Sequence, residues 1–250
     1  MLAMGVAALA TGAARAQYSI QIDGYAPAPV NIGVTLPTGG AIPKQVAALL
    51  TTIKGGEYGT AGVGNLLAFC LNVFQEQPVA PPAYTYDVEK KTVGTYDIND
   101  FVAGPNLLSQ NQAVQIAFVV QLAYAAYYLA PGAPATDNLL VAAQLAIWDV
   151  MGGTLGYTFN GNAGIEAAYN GLTGAFAGLN YAGFDTSPLL FLNDISVDGT
   201  PNILGDDDEF QDLVVWNGLN SPIATPLPSS ALLGLIAVAV LGVVRFKGMI

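Results

Sequence analysis

A single cysteine, Cys70, is the strongest nucleophile available to this chain, and no histidine accompanies it anywhere in the 250 residues. The thiolate is the reactive form of cysteine, so chemistry at Cys70 depends on what its surroundings do to the thiol. The absence of histidine removes His-dependent triads, His-ligated zinc and the usual imidazole base. A cysteine hydrolase or transglutaminase-like enzyme would lack its customary base and is the least favoured class. An odd cysteine in an exported domain asks for a partner in another chain or for some other chemistry. The second residue of interest is Gln144. Leu140, Ile147, Trp148 and Met151 recur at helical spacing as an apolar stripe, and Gln144 lies inside that stripe. An amide buried there costs free energy unless its donors and acceptor find partners, and nearby backbone is the ordinary source of them.

Two other groups of residues are weaker candidates. Asp206, Asp207, Asp208 and Glu209, with Asp212, could offer carboxylate oxygens to Ca²⁺, but they lack the spacing and turn glycine of an EF-hand. A solvated acidic loop is the simpler reading, so no metal and no cofactor is expected. Tyr124, Tyr127 and Tyr128 read as amphipathic residues at the edge of a core rather than as a platform for stacking a ligand.

The elements that must position Cys70 and Gln144 follow from patterning. Residues 18–36 alternate in places (Tyr18, Ile20, Ile22, then Val30, Ile32, Val34), with Pro27 and Pro29 between, which predicts edge strands. Residues 43–54 predict a helix: Pro43 suits a first turn, Val46, Leu49, Leu50 and Ile53 share a face, and Gly55 follows as a stop. Asn65 to Phe74, which contains Cys70, is short, apolar and compatible with a strand, and Tyr84, Tyr86 and Val88 alternate as a strand does. Ser109 and Gln112 form a candidate capping box for a helix that runs to Tyr128, before Pro131-Gly132. A second helix, carrying Gln144, is expected from Thr136 or Asp137 to Met151, ahead of Gly152-Gly153. A third, weaker one covers about 163–177. Leu189 to Val197 and Leu213 to Trp216 read as strands. The order predicts an α+β fold, a mixed β-sheet or sandwich part with an inserted helical part.

The residues around both candidates carry a family resemblance. Ala143-Gln144-Leu145-Ala146-Ile147-Trp148 resembles the TQxA motif of bacterial thioester domains, which occur in surface adhesins. Phe69-Cys70-Leu71 resembles the aromatic–Cys–aliphatic strand that is its partner in that family, in the same order and at a similar separation. Ala143 stands where Thr is usual and Asn72 where an acidic residue often follows; neither change removes an atom that the bond requires. The likeness covers residues 60–155 and implies a thioester-type domain over 17–222. It also implies an internal thioester, in which the Cys70 sulfur joins the side-chain carbonyl carbon of Gln144 with loss of ammonia. A nucleophile on a partner, most simply a Lys amine, would then take the acyl group. That is one covalent capture per molecule rather than enzymatic turnover. Phe69, Leu71, Ile147 and Trp148 would form the apolar surroundings that keep water from the bond.

Both ends read as processing signals. Residues 1–16 are small and apolar and finish in Ala14-Arg15-Ala16, the A-x-A pattern read by signal peptidase, with Gln17 as the mature start. Residues 223–250 contain Thr225-Pro226-Leu227-Pro228-Ser229-Ser230, an apolar run from Ala231 to Val244, then Arg245 and Lys247. A bilayer span needs roughly 20 apolar residues, so this run is short. The segment resembles the PEP-CTERM sorting signal of Gram-negative bacteria in a P-L-P form. That resemblance implies transient membrane contact, cleavage by an exosortase and delivery to the cell surface or extracellular matrix. Between the ends, four basic residues stand against 18 acidic ones. Such a body repels nucleic acid and anionic lipid. The expected function is an exported adhesin or matrix cross-linker, with a surface or matrix component bearing an amine as partner. The alternative is a structural matrix protein of the same fold whose Cys70 remains a buried thiol.

Overall fold

The computed structural model describes residues 17–36, 39–55, 63–71, 85–91, 93, 107–153, 155–194 and 212–216. Both terminal signals and the acidic run 206–209 lie outside the described residues.

Seven strands and three α-helices make up the described chain. They follow in the order β1 (Gln17–Thr35), β2 (Ala41–Gly55), β3 (Val63–Cys70), β4 (Thr85–Lys91), α1 (Gln110–Leu129), α2 (Pro134–Gly152), β5 (Gly156–Thr158), α3 (Ala163–Ala175), β6 (Leu189–Asp194) and β7 (Leu213–Trp216). A single 3₁₀ turn, Phe176–Gly178, extends α3. All strand pairings are antiparallel. In the sheet β2 neighbours β3, then come β7, β6, β4 and β1, and β1 pairs back onto β2. Six strands therefore close into a circuit, and β5 adds to the far half of β1 through Gly33–Thr35. The helices are inserted between β4 and β6. The architecture is α+β, a curled antiparallel sheet with a helical insertion, as the order of elements predicts.

The first strand departs from expectation in length and place. Tyr18, Ile20 and Ile22 are buried, as are Ile32 and Val34, so the alternation is real. Its halves belong to one strand, however, interrupted by a register shift between Ala26 and Val30 where Pro27 and Pro29 stand. Proline donates no backbone hydrogen bond, so the ladder loosens there and resumes beyond it. Nor is β1 an edge: Tyr18 to Gln21 pair with β2 on one side and β4 on the other.

Residues 43–54 are not a helix but lie within β2, which corrects the prediction from apolar spacing. Val46, Ala47, Ala48 and Leu49 are all buried, and Thr51 and Ile53 with them. A strand covered on both faces loses its period of two and reads as an apolar run, within which helical spacing is easily found. The pairing of β2 with β1 over most of its length outweighs local preference.

The helical segments lie close to their predicted positions. Ser109 Oγ accepts from Gln112 N at 3.2 Å, and Gln112 Oε1 accepts from Ser109 N at 3.0 Å, which makes the capping box complete. Replacing Ser109 with Ala should cost about 1 kcal/mol and lower the melting temperature by about 2–4 °C in a thermal unfolding scan. By length and composition α1 could cross a membrane, yet 11 of its residues from Ala113 to Tyr124 are buried within the protein. Helix α2 begins earlier than predicted. Ala133 is its cap, Pro134 opens the first turn, and Thr136 is already inside the helix and buried. Gly153 ends it at φ +63°, a conformation that favours glycine. α2 packs against α1 and α3 and on β1, β2 and β3, so it occupies the centre of one continuous hydrophobic core.

Candidate functional site

The site begins with the end of β3. From Leu66 to Leu71 every residue is buried, because both faces of the strand are covered. Successive residues in a strand direct their backbone groups to opposite sides. Leu71 N donates to Asp212 O at 2.9 Å, next to the Cys70–Leu213 pair, so Leu71 and Phe69 bond on the side of β7. Cys70 turns its N–H and C=O the other way, toward β2. The β2–β3 pairing stops at Leu49–Ala68, and continued register would have placed Ala47 opposite Cys70. With no strand there, a buried N–H and C=O stand in need of partners.

Gln144 supplies both. Its Oε1 accepts from Cys70 N at 2.8 Å, and its Nε2 donates to Cys70 O at 2.7 Å. A primary amide carries a donor and an acceptor side by side, as a peptide group does, and here it completes the edge of β3 as a one-residue strand. Gln144 is 1% exposed and Cys70 4%. The sequence points to nearby backbone as the source of partners for the Gln144 amide, and the partner is indeed backbone, but that of Cys70, 74 residues away.

The remaining predicted site residues sit in the same core cluster. Phe69 and Leu71 are fully buried; alternation along the strand sends their side chains to the face opposite Cys70, so they wall β3 from the far side. Ile147 and Trp148 follow Gln144 by three and four residues and share its helix face. Ile147 is fully buried and Trp148 is 3% exposed. The Trp148 Nε1 group is buried without a hydrogen-bond partner among the described residues, as is Gln121 Oε1 on α1.

Several participants carried no signal in the sequence. Burial pushes the Cys70 thiol far above its ordinary range, offset in part by the hydrogen bond of its own backbone and by the positive charge of Lys44. Burial also raises Tyr25, with a contribution from Cys70. Tyr25 and Lys44, on β1 and β2, therefore lie within electrostatic reach of the sulfur, and both are partly exposed. Only the pairing of β1 with β2 brings them there. Tyr124 donates its hydroxyl to Leu67 O at 2.6 Å and so ties α1 to the site strand. Tyr127 and Tyr128 lie progressively nearer solvent, consistent with an amphipathic helix end.

Beyond Trp148 a second polar cluster fixes α2. Asp149 accepts from Leu155 N at 2.8 Å and from the Tyr169 hydroxyl, and Tyr157 donates to Leu145 O at 2.9 Å. Burial first, then the Asp149 carboxylate, raises both Tyr157 and Tyr169. Their folded values lie above the unfolded value of about 10, so the stability they confer is complete below that pH and is lost as pH rises past it. In the Tyr157→Phe, Tyr169→Phe double variant the decline of unfolding free energy above about pH 10, followed by denaturant titration, should be shallower than in the parent.

Among the described residues no group of acidic, cysteine or histidine side chains could hold a metal ion. Comparison with protein-family models, with curated proteins and with solved structures finds no match to this chain.

The arrangement can do one kind of chemistry. An amide carbonyl is held against the main chain of the sole cysteine, with a backbone N–H on its oxygen that polarises it and would stabilise an oxyanion there. The amide nitrogen is equally fixed. The faces of the amide carbon are free of these hydrogen bonds, and a strand side chain leaves at right angles to the sheet, toward one such face. A thiol whose ionisation is opposed by burial is a weak nucleophile, whereas an acylated sulfur, uncharged like the thiol, meets no such penalty.

Proposed function

We propose that the chain is an exported protein that captures a partner covalently through a thioester between Cys70 and Gln144. The observation that carries this reading is the pair of hydrogen bonds between the Gln144 amide and the Cys70 main chain, in a buried setting. In the formation step Cys70 Sγ bonds to the Gln144 carbonyl carbon, the thiol proton passes to Nε2, and ammonia leaves. In the capture step a partner amine attacks that carbon. Gln144 then carries the partner in amide linkage and Cys70 returns to the thiol. No turnover follows, so the chain is a single-use binder and not an enzyme. Its partner class is a surface protein or matrix component with an accessible amine. The terminal segments support export by signal peptidase and exosortase to the surface or matrix of a Gram-negative bacterium.

Intact mass of the mature protein tests this directly. The expected mass is lower than that of the sequence by one ammonia, and a Cys70→Ala chain shows no such loss. A full mass with a thiol that titrates freely once the chain is unfolded overturns the covalent reading.

A second reading is favoured by the same hydrogen bonds. They give both the oxygen and the nitrogen of the Gln144 amide a partner, and burial opposes thiolate formation at Cys70. On this reading the chain is a non-covalent structural matrix protein of the same fold with a silent site, and Gln144 serves only to finish the edge of β3. The mass measurement separates the two.

A further inference from the structure

A buried indole N–H without a partner is unusual, because tryptophan generally finds one when it is buried. Among the described residues Trp148 Nε1 has no partner, and Trp148 is only 3% exposed. Its place in the fold makes the vacancy informative. Trp148 lies one helical turn after Gln144 on the same face of α2. Helix side chains all lean toward the N-terminus, so residues four apart meet side by side, and the indole neighbours the Gln144 side chain. The carbonyl oxygen there already accepts from Cys70 N at 2.8 Å. A planar amide oxygen uses that donor within its plane. When the carbon becomes tetrahedral, the oxygen gains a full negative charge and a third lone pair, and it moves out of the plane.

We propose that the Trp148 indole N–H is the second oxyanion donor of this site, unpaired against the resting amide and engaged when Gln144 Oε1 becomes an oxyanion. The inference rests on the thioester reading above. It assigns Trp148 a role in the reaction in addition to walling out water. In formation the oxyanion develops as Sγ adds to the carbonyl carbon and collapses as ammonia departs. In capture it develops as the amine adds, and it collapses as the Cys70 sulfur leaves and takes up the proton released by the amine. The same two donors serve both steps, since the oxygen is the same atom throughout.

The two roles of the indole predict opposite signs when the N–H is lost. Without the donor, attack by every nucleophile slows; without the wall, water gains access and hydrolysis speeds up. The test uses the purified mature protein, the Trp148→Phe variant, and a chain in which residue 148 is benzothienylalanine, which keeps the bicyclic shape and replaces the N–H with sulfur. Methylamine uptake at Gln144 and spontaneous loss of the thioester to water are followed by intact mass, with thermal melts to confirm folding. The benzothienyl chain should react with methylamine and with water more slowly, both by on the order of 10²-fold, at an unchanged melting temperature. Equal rates in that chain and the parent overturn the proposal, and so does faster hydrolysis at an unchanged methylamine rate. If Trp148→Phe fails to fold, the benzothienyl chain alone decides. A parent protein of full mass, with no ammonia lost, removes the thioester reading itself and this inference with it, a result distinct from a thioester that forms and ignores the indole.

Discussion

Measured against the unlinked amide form of the parent, replacing Gln144 with Leu should destabilise the domain by about 3–4 kcal/mol and lower its melting temperature by about 10 °C, because two buried backbone groups lose their partners. Leucine is close to glutamine in size and suits the apolar stripe, so packing is largely retained. The cost comes from Cys70 N–H and C=O, each of which is served by the Gln144 side chain and by nothing else across the gap left by β2. The Gln144→Glu variant sharpens the point. A protonated carboxyl can still accept from Cys70 N and donate to Cys70 O, whereas a carboxylate has no proton for the second bond. Burial raises the folded value of such a carboxyl above the unfolded value of about 4.3. The stability of this variant relative to the parent should therefore be highest below about pH 4 and should be lost as pH rises through the folded value. Denaturant melts of both chains at acidic and neutral pH check the sign. A Gln144→Glu chain as stable as the parent at neutral pH would show that the bond to Cys70 O contributes little.

The Cys70→Ala chain should behave in the opposite manner, abolishing capture while changing stability by only about 1 kcal/mol relative to the unlinked thiol form. The clamp runs through the backbone of residue 70 and not through its sulfur, so alanine leaves both hydrogen bonds intact. What is lost is a small buried side chain, a modest cost for a core position. Incubated with methylamine, the parent should gain one adduct per chain, located at Gln144 by peptide mass, and Cys70→Ala should gain none. Continued consumption of amine or release of ammonia beyond one equivalent would mean catalysis and would sink the single-use reading. Taken together the two substitutions separate the amide's structural work from the thiol's chemical work, although the residues touch.

Much of this site was legible in the sequence, and the illegible part has a common physical cause. Gln144 drew attention because a polar amide interrupted a helical apolar stripe, a local signal that needs no tertiary knowledge. Ser109 and Gln112 were equally local and are paired as their spacing implies. By contrast β2 was misread because its burial on both faces erases the alternation that marks a half-exposed strand. The start of α2 was placed at Thr136 or Asp137 by side-chain capping preference, but Pro134 begins the helix with no side-chain cap at all. Tyr25 and Lys44 could not have been singled out. Nothing about their spacing relates them to Cys70, and only the fold of the β1–β2 pair carries them there. The edge that Gln144 completes was hidden for the same reason, since it exists only because β2 parts from β3 after Ala68.

The closed circuit of strands has a consequence for timing. Its last member, β7, is made more than 60 residues after Gln144 and inserts between β3 and β6, immediately beside Cys70. A chain emerging from the ribosome therefore possesses both residues of the proposed thioester long before it possesses the strand that finishes their shelter. Until β7 docks, β3 has an open flank and the edge on which Gln144 closes is not rigidly set. On the thioester reading, β7, the last of the described strands, would act as a completion check, since the pair would be sheltered only in a molecule synthesised through residue 216 and folded. Truncation before β7 should leave the thiol and amide as ordinary, unlinked groups, so a fragment carrying both motifs is not a miniature of the whole.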